Sequence, residues 1–377
     1  MLYKIALTQI HPFTPETLRK FADDGIDARM LIEHPEEALG GMVESARVPL
    51  LKRIREQRGK ALEKAQREID FATAKGIRIL AAGDDDYPLR LSACADAPSI
   101  LYYRGNADLN APCVIAIVGT RRATDYGHMA VQRIVAEMAE SIPQLLVVSG
   151  LAYGIDIAAH RAALSHDLPT VGVVAHGMDT IYPAAHRNDA ATMTRQGGVI
   201  TEYVSGTRPF AMNFLRRNRI IAALADATLV VESAAHGGAL ATARLADSYG
   251  RTVMAIPGRV TDRMSEGCNR LIFQRMAAAV SSADDIINIM EWQRFTTNPQ
   301  KKAEPDLFAQ TERREALPPE QRNIIAALEN TDGLPLFELQ KRTALEAKIL
   351  TAALVTMEIN GIIQKMPSGN YHFLGDF

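Results

Sequence analysis

Residues 114–140 read VIAIVGTRRATDYGHMAVQRIVAEMAE, a short apolar run that leads through a glycine-containing loop into a segment with helical spacing. The uninterrupted apolar run Val114–Val118 is typical of a strand that is buried on both faces. The segment His128–Glu140 has apolar residues three and four positions apart, which predicts a helix. A buried strand, a loop and a helix in this order form the repeating unit of a parallel α/β sheet.

The same unit recurs along the chain as far as residue 290. The predicted strands are Val114–Val118, Leu145–Val148, Val171–Ala175, Val199–Thr201, Ala227–Val231 and Val253–Ile256. The predicted helices include His128–Glu140, Ile157–Ser165, Asn213–Ala225 and Gly238–Tyr249. This alternation predicts an α/β fold over residues 81–290, an extended Rossmann-like doubly wound parallel sheet. Ligands of such sheets bind at the carboxyl ends of the strands, so the loops that follow the strands are the expected functional positions.

The residues before this core predict a separate helical domain over residues 1–80. Leu50–Ala74 forms one long predicted helix that Gly76 ends. Between Lys52 and Arg78, nine basic residues and four acidic residues give a local charge of 9 − 4 = +5. A solvated helix face explains this charge better than a nucleic-acid surface does.

The residues after the core predict a linker over 291–316 and a winged-helix-like domain over 317–377. The predicted helices lie near Pro319–Glu329, Leu336–Thr343 and Glu346–Asn360, and Ile362–Lys365 and Tyr371–Leu374 form a hairpin that turns at residues 367–370. From residue 316 onward, seven acidic residues outnumber five basic ones. A protein-contact role or a weak accessory DNA role is therefore favoured over duplex reading for this domain.

The composition limits the class of protein. Hydrophobic residues make up 47% and charged residues 23%, which excludes wholesale disorder. The net charge of −2 means that any basic surface is local. No apolar run approaches the roughly 20 residues of a membrane span, and the start of the chain lacks a signal-peptide pattern. The three cysteines, Cys94, Cys113 and Cys268, suit reduced thiols. We therefore expect a soluble, cytoplasmic protein without a membrane partner.

Two loops after predicted strands combine glycine with groups that bind phosphate. In the first loop, Gly119 and Thr120 lead to Arg121, whose guanidinium can make a bidentate contact with a phosphate. The start of the following helix is expected to offer free N–H groups to the same anion. In the second loop, Ser149 and Gly150 predict another close approach of the backbone to phosphate.

The residues 207–219, TRPFAMNFLRRNR, form the most basic stretch of the core. They contain four arginines and no acidic residue, a local charge of +4; the arginines are Arg208, Arg216, Arg217 and Arg219. Phe210 and Phe214 lie between them, so guanidinium groups that neutralise phosphates stand beside rings that can stack on unpaired bases. Gly237 and Gly238 open a further helix and predict an anion-binding nest. Together these loops predict an elongated groove for an anionic ligand.

Other chemistry has little support in the sequence. The dinucleotide signature GxGxxG, the Walker sequence and the GxSxG elbow are absent, and the cysteines form no CxxC. The histidines are not at metal-ligand spacings. Asp156 and His160 are four residues apart on a predicted helix and could form an acid–base pair, although a structural pairing is favoured. We expect no catalytic residue, no metal and no cofactor.

The chain resembles the DprA/Smf family of bacterial DNA processing proteins over about residues 85–290. The matching stretches, in the family's order, are Tyr87-Pro88 with Asp96, Pro98 and Gly105, VGTRRATDYG (118–127), SGLAYGID with Ala159-His160 (149–160), GMDTIYP (177–183), FLRRNRIIAAL (214–224), HGGALATA (236–243), IPG (256–258) and GCNRLI (267–272). The family combines a helical N-terminal domain, an extended Rossmann fold and often a C-terminal winged helix, which is similar to the predicted organisation here. The resemblance implies a SAM or helix–hairpin–helix-like class for the N-terminal domain.

The resemblance implies single-stranded DNA binding and recombination mediation. It implies that the protein protects incoming single strands during natural transformation, loads the RecA recombinase onto them and works as a homodimer through its Rossmann domains. On the family pattern the DNA contacts come from Gly119, Thr120, Arg121, Ser149, Gly150, Phe214, Arg216, Arg217, Asn218 and Arg219, and Gly237 and Gly238 frame the groove.

The sequence also departs from the family pattern and leaves two alternatives. His236-Gly237-Gly238-Ala239 replaces the usual Ser-Gly-Ser or Ser-Gly-Ala. The first alternative is a nucleotide phosphoribohydrolase-like enzyme on a similar core, but the glutamate that such enzymes need after a Pro-Gly-Gly loop is missing after Pro257-Gly258. The second alternative is a winged-helix transcription factor, which the acidic C-terminal domain disfavours.

Overall fold

The computed structural model describes residues 1–11, 13–296, 317–329, 331, 333–366 and 368–374. The chain divides into two compact units. The first consists of Met1–Ala123 and Gly127–Thr297, and the second of Thr124–Tyr126 and Asn298–Phe377.

A nine-stranded sheet forms the centre of the first unit. Its strands are β1 (Arg78–Ala81), β2 (Ile100–Gly105), β3 (Cys113–Val118), β4 (Leu145–Ser149), β5 (Thr170–Val173), β6 (Gly198–Thr201), β7 (Ala227–Val230), β8 (Thr252–Ala255) and β9 (Ala278–Ala279). Their spatial order is β1-β2-β6-β5-β4-β3-β7-β8-β9. The strands from β3 to β9 pair in parallel, whereas β1 and β2 are antiparallel at one edge. The chain runs outward from β3 to β6 on one side and from β7 to β9 on the other, so the topological switch point lies between β3 and β7.

The predicted extended α/β fold with a mostly parallel sheet is confirmed, with small differences at its ends. The helices of the first unit are α1 (Leu2–Thr8), α2 (Pro15–Asp23), α3 (Ala28–Glu33), α4 (Pro35–Ala38), α5 (Glu44–Lys75), α6 (Leu89–Ser92), α7 (Asp125–Ser141), α8 (Ile155–Ser165), α9 (Arg187–Gln196), α10 (Ala211–Leu224), α11 (Gly238–Ser248), α12 (Glu266–Phe273) and α13 (Ala283–Ile289). The strand predicted to end at Ala175 ends at Val173, and the antiparallel strands β1 and β2 were not predicted.

Both faces of the sheet are covered by apolar layers. Alternate residues of β3 point to opposite sides: Val114 and Ala116 join the cluster formed with α10 and α11, and Ile115 and Ile117 join the cluster formed with α7 and α8. This two-sided burial explains why the strands read as uninterrupted apolar runs in the sequence.

The N-terminal helices pack onto the antiparallel edge of the sheet. The inner face of α5 presents residues such as Ile54, Ala61 and Ala65 to a cluster that includes Ile100 and Tyr102 of β2. Strand β1 crosses the predicted domain boundary between residues 80 and 81 and belongs to the sheet. The predicted end of the long helix agrees with the structure, because Gly76 ends α5 at a left-handed φ of 63°. The SAM or helix–hairpin–helix-like class of these helices stays a prediction.

The predicted linker starts too early. Residues 292–295 form a 3₁₀ helix, and the side chain of Trp292 is only 4% exposed in the cluster that covers one face of the sheet. Its apolar ring area explains why the first unit continues to this point. Residues 297–316 of the predicted linker lie outside the described residues.

The second unit contains three helices and a small sheet. The helices are α14 (Pro319–Leu328), α15 (Leu336–Thr343) and α16 (Ala347–Ile359), and the strands are β10 (Leu334–Pro335), β11 (Ile363–Lys365) and β12 (Asn370–Phe373) in the order β10-β12-β11. The predicted helices and hairpin are present, apart from residue 367 of the turn, which lies outside the described residues. Strand β10 was not predicted. The winged-helix class of the unit stays a prediction.

No helix in the described part of the chain is long and apolar enough to cross a membrane. All three cysteines are buried and free.

Candidate nucleic-acid interface

The loops after β3 and β4 pack tightly against each other. The amide of Ile155 donates to the carbonyl of Thr120 at 3.2 Å, and the amide of Thr120 donates to the carbonyl of Glu232 at 2.8 Å. A Cβ on Gly119 would lie 2.4 Å from Cγ1 of Ile155, and one on Gly154 would lie 2.2 Å from the carbonyl oxygen of Thr120. The glycines therefore allow this packing of loop on loop.

The start of α7 faces a carboxylate of the protein itself. Glu232 follows β7 and is 1% exposed, and a Cβ on Gly127 would lie 2.3 Å from its Oε2. A carboxylate of the protein therefore already lies at the positive end of this helix, where the sequence predicted a phosphate.

Ser149 and Gly150 contribute shape rather than exposed donors. The hydroxyl of Ser149 donates to the carbonyl of Ile117 at 2.6 Å inside the sheet. A Cβ on Gly150 would lie 2.5 Å from Oδ2 of Asp156 and 2.6 Å from Nη2 of Arg217. A side chain at position 150 would therefore collide with both Asp156 and Arg217, and glycine avoids this collision.

Arg217 is a buried arginine at the centre of the loops. It is 3% exposed, and its Nη1 donates to the carbonyl of Gly150 at 2.6 Å and to that of Val173. Burial lowers the pKa of Arg217 to about 10, so the group stays charged at neutral pH. Burial also raises the pKa of Asp156, which the charge of Arg217 opposes. Arg217 was predicted to contact phosphate, but its guanidinium lies inside the protein.

Arg219 also points away from the exposed surface. Its Nη2 forms an ion pair with Glu202, and the two side chains are only 13% and 15% exposed. Burial raises the pKa of Glu202, although the nearby guanidinium opposes this. Two of the four arginines in the predicted basic stretch are therefore engaged in the fold, whereas Arg208 and Arg216 are exposed.

Three side chains form an accessible cation–aromatic cluster at the carboxyl edge of the sheet. The guanidinium carbon of Arg121, from the loop after β3, lies 5.2 Å from the ring centre of Phe214 on α10. The ring of Tyr182 meets that of Phe214 at 5.8 Å and 60°. Arg121 is exposed and Tyr182 is 45% exposed. We call these three residues the Arg121–Phe214–Tyr182 cluster.

Tyr182 was not among the predicted site residues, and a buried histidine holds it in place. Nε2 of His176 accepts the amide of Tyr182 at 3.1 Å, and Nδ1 lies 2.9 Å from the carbonyl of Gly177. These partners require a neutral ring protonated at Nδ1. Burial lowers the pKa of His176 and keeps it neutral. In the sequence, the Tyr182-Pro183 dipeptide marks this position. Its aromatic partner, Phe214, is distant in the chain, so no local pattern predicts their contact.

The remaining predicted residues differ in their exposure. Asn218 is half-buried and accepts from Nε of Arg217 at 3.3 Å. Gly237 packs on the hydroxyl of Ser233, whereas Gly238 is exposed with open space at its Cα. Further apolar side chains project from the start of α10; Phe210 is 63%, Met212 58% and Leu215 55% exposed.

Asp156 and His160 do not form an acid–base pair. The amide of Ala152 lies 3.4 Å from Oδ2 of Asp156, and Nδ1 of His160 bonds to the hydroxyl of Thr170 at 2.7 Å. The structural interpretation of this pair therefore agrees with the geometry. In the described residues, no group of three or more histidine, cysteine or acidic side chains could hold a metal ion.

Fold and site together define an extended doubly wound α/β protein that presents arginine and aromatic side chains at the carboxyl edge of its sheet. The family model described as DNA recombination-mediator protein A matches residues 78–291. The chain belongs to this family, the DprA/Smf family.

Individual relatives agree with this assignment. The DNA processing protein DprA of Streptococcus pneumoniae is 39% identical over 209 residues, which cover 55% of this chain and 73% of the relative. An X-ray structure of DprA from Streptococcus pneumoniae matches with a TM-score of 0.56 and 31% identity, covering 73% of this chain and 98% of that one. A structure of DprA from Helicobacter pylori, described by its single-stranded DNA binding mode, matches with a TM-score of 0.52 and 28% identity, covering 57% and 96%.

The burial of Arg217 predicts that its loss destabilises the fold. Arg217→Ala removes two buried hydrogen bonds from a charged donor, each worth about 1.5–3 kcal/mol, so we expect a loss of about 3–5 kcal/mol in the free energy of unfolding. Arg217→Lys should recover only part of it, because one ammonium does not reproduce the planar fork. Urea unfolding measures both. Arg121→Ala is the exposed control, with an expected change within about 0.5 kcal/mol. Equal stabilities of the Arg217→Ala and Arg121→Ala variants would contradict the buried role.

His160 predicts a pH-dependent stability. Burial lowers its pKa from 6.5 to about 3, so between these values the unfolded chain binds a proton that the folded chain does not. The stability present above pH 6.5 is therefore lost as the pH falls, by about 1.4 kcal/mol per pH unit for this one group. Urea unfolding from pH 7 to pH 5 measures the slope, which we expect to be smaller in His160→Gln than in a matched variant of an exposed histidine, His236→Gln. Identical slopes in the two variants would contradict this origin.

Proposed function

We propose that the chain binds single-stranded DNA along the carboxyl edge of its large sheet, with the Arg121–Phe214–Tyr182 cluster at the centre. The observation that supports this most is the exposed guanidinium of Arg121 beside the ring of Phe214. A guanidinium neutralises a backbone phosphate, and aromatic rings stack on unpaired bases. Arg208 and Arg216 supply further exposed cations. The Helicobacter pylori relative, which is described as binding single-stranded DNA, supports the same ligand class.

We further propose that the protein is a recombination mediator. In this role it protects incoming single strands in natural transformation, loads RecA onto them and works as a homodimer through its Rossmann-like unit in the cytoplasm. Family membership supports this role. We propose that the action is binding without catalysis, metal or cofactor. In support, the one acid–base pair that the sequence suggested, Asp156 and His160, is engaged with other partners.

The binding proposal is tested with fluorescence anisotropy of a labelled oligothymidine. Arg121→Ala should weaken binding about tenfold and reduce the slope of log affinity against log salt by about 0.7, the value for one phosphate contact on a single strand. Phe214→Ala should cost about 1–3 kcal/mol of binding free energy through lost stacking. The duplex of the same length should bind more weakly than the single strand.

The matched control is Arg195→Ala. Arg195 is exposed near the end of α9, just before β6 and so at the opposite edge of the sheet. It should bind like the unchanged protein. Equal affinities of the Arg121→Ala and Arg195→Ala variants, with both folded, would sink the assignment of the binding edge.

The mediator role is tested by RecA filament assembly on single strands already coated with a single-strand binding protein. The unchanged protein should shorten the lag before assembly, and Arg121→Ala should lengthen it again, because loading requires the strand to be held. An unchanged lag in the presence of a protein that binds the strand well would refute the loading role and leave the binding proposal intact.

A further inference from the structure

Helix α16 of the second unit carries exposed apolar side chains opposite its buried face. Its inner face contributes Leu350, Ala353, Leu354 and Met357 to the core of the unit. On its outer face, Val355 is 51% exposed and Ile359 is 79% exposed. Only Lys348 and Glu358 carry charge among its 13 residues. Large apolar side chains this exposed on a helix with few charges are suited to cover by a partner.

The outer face has the spacing of a helix-pairing seam. Lys348, Ala352, Val355 and Ile359 follow at steps of four, three and four residues, all of them exposed. This is the a/d spacing by which two helices interlock, and the small Ala352 leaves room for a larger side chain opposite. The seam extends over about 16 Å of helix.

We propose that the outer face of α16 is an interface between two copies of this chain, in which the two α16 helices pack antiparallel about a two-fold axis. An axis midway between Ala352 and Val355 sets Ala352 of each copy against Val355 of the other. The same arrangement brings Lys348 of each copy beside Glu358 of the other, so two opposite-charge pairs form at the ends.

The charges of Lys348 and Glu358 favour an antiparallel helix pair over a parallel one, and a protein partner over DNA. A parallel pair would set Lys348 against Lys348, which is unfavourable. In the described part of the chain neither Lys348 nor Glu358 has an ion-pair partner; Glu358 only accepts the amide of Lys365 at 3.3 Å. A helix that reads DNA presents several cations to phosphates, whereas this face presents one.

The seam is short, so the contact is weak between free molecules. Stable interfaces bury roughly 800 Å² on each partner, more than a four-residue seam supplies. Copies bound side by side on one strand would meet at a raised effective concentration, which makes such a contact effective. This last step rests on the proposed single-stranded DNA binding.

Cysteine crosslinking of the full-length chain tests the arrangement. The native cysteines are buried, so Val355→Cys and Ala347→Cys each add one exposed thiol for a short bismaleimide reagent. In the antiparallel pair, the two copies of residue 355 lie about 5 Å apart along the helix axis and those of residue 347 about 20 Å apart. On a long oligothymidine, we expect Ala347→Cys to give about tenfold less covalent dimer than Val355→Cys.

Charge reversal supplies the second arm. In the Val355→Cys background, Lys348→Glu should reduce the covalent dimer about tenfold, and adding Glu358→Lys should restore it, because the end pairs are then reversed. Neither a role in folding nor one in DNA reading predicts this rescue. Binding to an oligothymidine long enough for one copy should stay unchanged in all of these variants.

Each contrary result has a definite meaning. Equal crosslinking at residues 347 and 355 would overturn the antiparallel arrangement. Absent crosslinking with normal strand binding would overturn the interface and leave the proposed function standing. Lower DNA affinity of Lys348→Glu without any crosslinking would make the face a DNA reader instead. If the unchanged chain binds no single strand, the proposed function fails, and crosslinking at high protein concentration without DNA then decides the interface alone.

Discussion

The guanidinium of Arg217 is the contact on which the carboxyl edge of the sheet depends. It reaches from α10 to the carbonyl of Gly150 after β4 and to that of Val173 at the end of β5. Both residues are buried, and hydrogen bonds from a charged donor to buried carbonyls are costly in free energy to lose. The contact fixes where α10 begins relative to the loops, and so where Phe214 meets Arg121. The buried charge of Arg217 thus helps to position the exposed guanidinium of Arg121 and the ring beside it.

Much of the fold follows from the sequence because β3 to β8 are buried on both faces and read as apolar runs separated by helices. The strands β1 and β2 also contain short apolar runs, but they precede the repeating strand–helix units and pair antiparallel. The alternation that predicts the parallel sheet therefore does not include them. The burial of Arg217 could have been predicted from the sequence. It lies three, four and seven positions before Ile220, Ile221 and Leu224, on the same inward stripe of α10. The prediction treated the four arginines of residues 207–219 as one exposed cluster, so it missed the burial of Arg217.

Other features of the edge arise from pairs that no local pattern reveals. The ion pair of Arg219 with Glu202 joins α10 to the loop after β6, and the carboxylate of Glu232 at the start of α7 comes from the loop after β7. Glycine is required at position 119 because a side chain there would collide with Ile155, although the local sequence predicted that this glycine makes room for a ligand. The identity of such residues is set by neighbours that are close in space and distant in sequence. A sequence motif therefore shows that a position is constrained, but not which contact constrains it.

The N-terminal helices are joined to this edge through one buried acid. Glu68 of α5 is 4% exposed, and its carboxylate accepts both the amide and the hydroxyl of Ser205 in the loop after β6. The family match begins at residue 78, after α5 has ended. A chain shortened to that match would lose the acceptor that anchors the loop leading to Arg208 and α10, and would bare the ring of Tyr102. The helical region therefore supports the α/β unit, and a piece that keeps this edge intact must be longer than the segment that the family model matches.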